Sequence, residues 1–177
     1  MGSEKIVLIG GPSTGKSSII EVLTRRRYQC MPEVSREVTR RAKENGIDQL
    51  FLSDPLKFSE LLLEGRINQF KAADTLSSKH VFIDRGIPDV TAYMDHFEQN
   101  YPKFFSDANQ KYTYDKVFIL PIWDEIYTTD GERFEGIDLA INIQKALRKT
   151  YQDLGYTLIE VPKTDVNRRV DFILAHL

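Results

Sequence analysis

At 177 residues, with 41% hydrophobic and 28% charged side chains, the chain has the composition of one globular domain, which excludes a disordered or fibrous protein. One cysteine, Cys30, and three scattered histidines, His80, His96 and His176, exclude a disulfide framework and a Cys-rich zinc site. No apolar run reaches the 18 residues of a membrane span and no signal-peptide segment is visible, so a cytoplasmic protein without a membrane partner is expected.

Taken in chain order, Lys5–Ile9 (KIVLI) predicts a buried strand, rich in β-branched residues. Residues 10–17 (GGPSTGKS) form a glycine-rich turn, and SSIIEVL continues as an amphipathic helix starting near Lys16. Tyr28–Met31 reads as a short second strand with Cys30 as a small core residue, followed by the charged run Pro32–Glu37. Asp54 before Pro55 is a cap before a proline suited to the first helical position; Leu56, Leu63, Ile67 and Phe70 then recur at helical spacing to about Ser78. His80–Asp84 (HVFID) and Lys116–Leu120 (KVFIL) predict two further strands, with a helix over Pro88–Phe97 between them. After a polar stretch at 128–136, Ala140, Ile143, Leu147, Tyr151 and Leu154 make an apolar stripe that stops at Gly155. Thr157–Val161 is the fifth strand, and Val166, Val170, Ile173 and Leu177 line a last helix after Asp165. These stripes read as core, without chemistry. Five short apolar strands separated by helices predict an α/β fold, a parallel sheet covered on both faces.

The turn satisfies G-x-x-x-x-G-K-[ST] between a strand and a helix, the context a phosphate loop requires. Gly11, Pro12, Ser13, Thr14 and Gly15 would turn successive N–H groups toward phosphate oxygens, with Ser18 in the first helical turn behind them. Lys16 is expected to reach the β- and γ-phosphates, and Ser17 to ligate Mg²⁺. Residues 1–45 carry nine basic and five acidic side chains, a local anion preference rather than a basic face; Arg25, Arg26, Arg27, Arg40 and Arg41 read as solvated helix faces, and nucleic acid is not the expected partner. No N-K-x-D tetrapeptide is present to read guanine, which leaves mainly a phosphotransferase with a short lid.

Asp84 ends a strand at the carboxyl edge of the sheet, where it could hold Mg²⁺ or accept the acceptor's proton. Glu33 follows the second strand and could face the γ-phosphate as base; which of the two carboxylates serves stays open. Arg36, one helical turn on, could hold the transferring phosphoryl or an anionic part of the acceptor, and Arg85 with Asp89 concentrates opposite charges where a strand meets a helix, as acceptor ligands or as a salt-bridged cap. Thr128–Gly136 has lid composition, and Arg133 could close over the phosphates.

The set GGPSTGKS, PEVSRE, VFIDRGIPD, YDKVFIL, TTDGERFEG and VPKTDVNRRVDFIL resembles the P-loop ATPases and kinases related to the nicotinamide-riboside kinase domain of the bacterial NadR protein, small AAA-type proteins. The resemblance spans nearly the whole chain. It implies one three-layer P-loop domain of the nucleotide-kinase type over residues 1–177, with strand order 2-3-1-4-5. It further implies ATP and Mg²⁺ bound by Gly10–Ser17, Arg133 as lid arginine, and Lys163, Thr164 and Asp165 bordering the adenine. The Asp84–Arg85 pair is similar to thymidylate and deoxynucleoside kinases, in which a glutamate after the second strand serves as base; Glu33 sits correspondingly. The expected activity moves the γ-phosphoryl of ATP to a hydroxyl or phosphate of a small, nucleoside-like acceptor. The alternatives are a nucleotide-dependent switch without an acceptor and a polynucleotide 5′-hydroxyl kinase; ATP versus GTP preference and oligomeric state stay open.

Overall fold

The computed structural model describes residues 2–123 and 136–177. Five parallel strands, β1 (Glu4–Ile9), β2 (Gln29–Met31), β3 (His80–Asp84), β4 (Lys116–Ile119) and β5 (Leu158–Glu160), form a sheet of order β2-β3-β1-β4-β5. That is the predicted order. Eight helices are described: α1 (Lys16–Arg25), α2 (Val34–Glu44), α3 (Leu50–Ser53), α4 (Pro55–Ala73), α5 (Pro88–His96), α6 (Phe104–Lys111), α7 (Ile137–Asp153) and α8 (Val166–Ala175).

The strands are apolar on both sides because helices cover both sides. Ile6, Leu8, Phe82, Phe118 and Leu120 point to one face, where they pack against Ile19, Val22 and Leu23 of α1 and Val170 and Ile173 of α8. Val7, Ile9, Val81, Ile83, Val117 and Ile119 point to the other, against residues of α2, α4, α5, α6 and α7. The period of two along each strand thus assigns every helix pair its layer. No helix among the described residues is long and apolar enough to cross a membrane.

Several features differ from the sequence expectations. Helix α4 stops at Ala73, not near Ser78: the hydroxyl of Ser3 donates to the carbonyls of Leu76 and Ser78 and draws that segment onto β1. Short α3 and α6 carry too little periodicity to be predicted. Cys30 lies on the edge strand and is only partly buried, against the α1 face of the sheet; burial pushes its thiol pKa up, with a hydrogen bond to Thr24 opposing. The stripe of α7 ends as expected, with Gly155 at φ +85° in the left-handed position after the helix.

Connections β1–α1 and β3–α5 leave the sheet at the carboxyl ends of two adjacent strands, Leu8 pairing with Asp84. Both contain a non-glycine residue in the left-handed region, Ser13 at φ 57° and Arg85 at φ 69°. Such conformations cost energy and concentrate where backbone geometry serves a ligand.

Candidate active site

The turn after β1 wraps a buried ammonium. Lys16 Nζ donates to the carbonyls of Gly10 and Gly11, both at 2.9 Å, and to Thr14 Oγ1 at 3.2 Å. Burial, with the Arg85 charge second, pulls the Lys16 pKa down to about 7, against the opposing pull of Asp84, Glu33 and Asp89. Gly10, at φ +154°, admits no side chain, because a Cβ there would lie 2.8 Å from the Leu120 carbonyl. Pro12 through Ser18 line a cleft of about 1170 Å³ at the carboxyl edge of the sheet.

Two braces hold the turn. Gly11 N–H donates to Gln144 Oε1 of α7 at 2.7 Å, and Gln144 Nε2 donates to the Leu120 carbonyl at 3.0 Å. Arg169 of α8, only 4% exposed, donates through Nη2 to the Thr14 carbonyl at 2.9 Å. Gly11 therefore packs on α7 outside the cleft lining. Thr164 and Asp165 border the cleft, and Asp165 also caps α8 by accepting from Arg168 N–H; Lys163 is exposed and lies outside the lining.

Asp84 ends β3 inside the cleft. Its Oδ1 is buried with no hydrogen-bond partner among the described residues. Burial raises its pKa, with the Lys16 charge opposing. Ser17 Oγ lines the same cleft and accepts from Arg36 Nη2 at 3.1 Å.

A second cavity, of about 250 Å³, adjoins the first and shares Glu33, Ser35, Phe51, Arg85 and Tyr93 with it. Its walls are aromatic and aliphatic, with Phe58, Met94 and Phe97 among them, and its floor is ionic. Glu33 caps α2, its carboxylate accepting from Ser35 N–H at 3.2 Å. The same carboxylate pairs with Arg66 Nη2 at 3.2 Å and Arg85 Nε at 2.5 Å. Burial would raise the Glu33 pKa, but Arg85, Arg66 and the Ser35 N–H together hold it below the ordinary carboxylate value.

Asp89 is fully buried in the first turn of α5; its Oδ2 accepts from Gly86 N–H at 3.0 Å and from Tyr151 Oη at 2.6 Å, while Oδ1 lies 3.4 Å from Arg85 Nη1. Of the two expectations the structure matches the salt-bridged turn: Asp89 pairs with Arg85 and accepts from Gly86 N–H, and at 0% exposure it is closed to a ligand. Tyr151 of the α7 stripe is a core residue as expected, and its hydroxyl in addition donates to Asp89; burial, then the Asp89 charge, holds that phenol well above its ordinary pKa.

Sequence reasoning missed Arg66, Gln144, Tyr151 and Arg169. Arg66 had a usable signal: a charge on the same face of α4 as Leu62 and Leu63, where a guanidinium must be paired to be buried. The other three act across long sequence separations and leave no local pattern. Arg133 and the lid residues 128–135 lie outside the described residues.

The model of the AAA domain family matches residues 5–169. The chain belongs to the AAA domain family. No curated protein sequence matches it. Several solved structures resemble this AAA domain over nearly its full length. Deoxyadenosine kinase from M. mycoides, with products dCMP and a flexible dCDP bound, gives a TM-score of 0.71 at 18% identity over 97% of each chain. A NadR protein in complex with NR gives 0.69 at 17% identity over 98% of this chain and 49% of that one. Thymidylate kinase from Candida albicans gives 0.69 at 14% identity over 99% and 91%. At such identities the likeness shows a shared fold: the five-stranded P-loop kinase architecture of this AAA domain.

Proposed function

We propose that this AAA domain is an ATP-dependent phosphotransferase that moves the γ-phosphoryl group to a hydroxyl of a small, nucleoside-like acceptor. The observation that carries the reading is the shared wall of the two cavities. A phosphate-loop cleft opens directly onto an aromatic-lined pocket through Glu33, Ser35 and Arg85, so a triphosphate and an acceptor can meet at one carboxylate. The proteins of similar fold with nucleotides or NR bound support the acceptor class.

The cleft side supplies charge neutralisation. With a triphosphate bound, Lys16 exchanges backbone carbonyls for phosphate oxygens, which restores its full positive charge, and the Pro12–Ser18 backbone and the α1 N-terminus add N–H dipoles. The hard oxygen donors fit Mg²⁺: Asp84 presents a buried oxygen without a hydrogen-bond partner among the described residues, and Ser17 a hydroxyl. Among the described residues no group of three or more His, Cys, Asp or Glu side chains forms a metal cage. When bound, the ion neutralises charge building on the phosphates.

Glu33 takes the acceptor's proton. Its lowered pKa keeps it ionised at neutral pH, and its two arginines fix its orientation toward the cleft. Asp84, with a raised pKa and a place beside Lys16, is assigned to the metal in this reading, which leaves the base role to Glu33. Arg36 stands at the cleft side to contact the transferring phosphoryl. Arg133 is assigned the lid role, closing over the phosphates and excluding water.

The test is ADP release by the full chain with ATP and magnesium, with and without a panel of nucleosides. Acceptor-dependent release supports the kinase. Slow release independent of acceptor favours a nucleotide switch, and transfer only to labelled oligonucleotide ends favours a polynucleotide kinase.

A further inference from the structure

Resting on the kinase reading, we infer that the acceptor pocket is selective for an uncharged nucleoside and rejects the corresponding nucleoside monophosphate. The four ionisable carboxylates and guanidiniums lining it, Glu33, Arg66, Arg85 and Asp89, sum to no net charge. Each guanidinium is already turned onto a protein oxygen: Arg66 onto Glu33 and the Gly86 carbonyl at 3.0 Å, Arg85 onto Glu33 and Asp89. Arg66 Nε makes no hydrogen bond among the described residues, but its accessible surface is below 1 Å², so it is closed to a ligand.

A phosphomonoester brings a charge of about −1.5 to −2. In this pocket it would face two carboxylates, and the guanidinium donors already turned onto Glu33 and Asp89 would reach it only by leaving a buried pair, which leaves another buried charge uncompensated. The remaining lining, Phe51, Phe58, Leu62, Val90, Met94 and Phe97, cannot replace the water around an anion. Arg36, the nearby exposed cation, lines the nucleotide cleft and not this pocket. A hydroxyl asks far less. An ionised carboxylate has about four lone-pair positions, and the described contacts of Glu33 come from Ser35, Arg66 and Arg85, so one position can accept the hydroxyl proton.

The step balances on that basis. The acceptor hydroxyl oxygen forms a bond to the γ-phosphorus, the bond from that phosphorus to the β,γ-bridging oxygen breaks with its electrons leaving on ADP, and the hydroxyl proton passes to Glu33. The product is then the charged monoester that the pocket disfavours, so the selectivity that admits the acceptor also promotes release of the product.

The test is titration calorimetry on the full chain with magnesium and a non-hydrolysable ATP analogue, using the common ribo- and deoxyribonucleosides and the 5′-monophosphate of each. At least one nucleoside is expected to bind roughly tenfold or more tightly than its own monophosphate, since a misplaced like charge costs several kcal/mol. Glu33→Gln removes one negative charge from the floor and is expected to narrow that ratio or reverse it. Equal or tighter binding of the monophosphate overturns the inference. So does failure of every nucleoside to bind, or an unchanged ratio in a folded Glu33→Gln protein. Should that variant not fold, the wild-type ratio alone decides. ADP release measured in parallel separates the two readings. A monophosphate as best acceptor sinks the selectivity and keeps the kinase, whereas selective nucleoside binding without acceptor-dependent ADP release sinks the kinase and keeps the selectivity.

Discussion

The nucleotide cleft and the acceptor pocket share a wall yet treat charge in opposite ways. In the cleft, Lys16 rests on neutral carbonyls and Asp84 Oδ1 is buried without a hydrogen-bond partner among the described residues, so both groups are shifted toward their neutral forms. In the pocket, Glu33, Arg66, Arg85 and Asp89 interlock, and the Glu33 pKa moves toward the charged form. Charges that the fold leaves uncompensated can be given to a highly charged ligand at little structural cost. Charges that the fold has paired hold a geometry, and removing one disturbs the protein itself.

Lys16→Ala should break the contrast on its functional side most severely. Turnover is expected to fall roughly 10³-fold or more, because the main cation at the phosphates is gone, while the thermal midpoint barely changes. Steady-state ADP release paired with a melting curve checks both halves, and near-normal activity would remove the mechanism. Glu33→Gln should lower kcat by roughly 10²-fold through loss of the base, and unlike Lys16→Ala it should also lower the melting temperature, because Arg66 and Arg85 lose their shared partner.

Gly86→Ala probes the pocket floor from behind. A Cβ there would stand 2.3 Å from Tyr151 Oη and 2.9 Å from a Tyr114 ring carbon, both buried, so about 1–3 kcal/mol of overpacking strain is expected, read as a lower midpoint in chemical denaturation. Tyr151→Phe is gentler. It removes one donor from Asp89, and about 1–2 kcal/mol of stability should go with it.

The pH response gives the smallest and finest discrimination. Glu33 has a folded pKa below its ordinary value of 4.5, so its ion pairs contribute fully above that value and the contribution is lost as pH falls through the lowered folded pKa. The stability gap between wild type and Glu33→Gln should hold across neutral pH and close only in acid. A gap that closes near pH 7 would contradict the pairing.

Much of this was legible before any coordinates. Apolar runs such as KIVLI and HVFID are strands because both faces must be covered, and GGPSTGKS between strand and helix names a phosphate loop, since only that backbone curls around phosphate oxygens. Glu33, Arg85 and Asp89 were picked out as charged residues at strand ends, but whether Asp89 met solvent, a ligand or a partner depended on Tyr151, 62 residues away. The burial of Arg66 is readable from its helix face, but its partners Glu33 and Gly86, lying 33 and 20 residues distant, are not.

The sequence by itself determined the strands, the phosphate loop and the covering of the sheet on both faces, because these follow from local periodicity and from backbone geometry that few residue types permit. Only the tertiary structure decided how the charges are shared out. Pairing energies depend on distance and burial, and these are set when α4, α5 and α7 pack together over the carboxyl ends of β1 and β3.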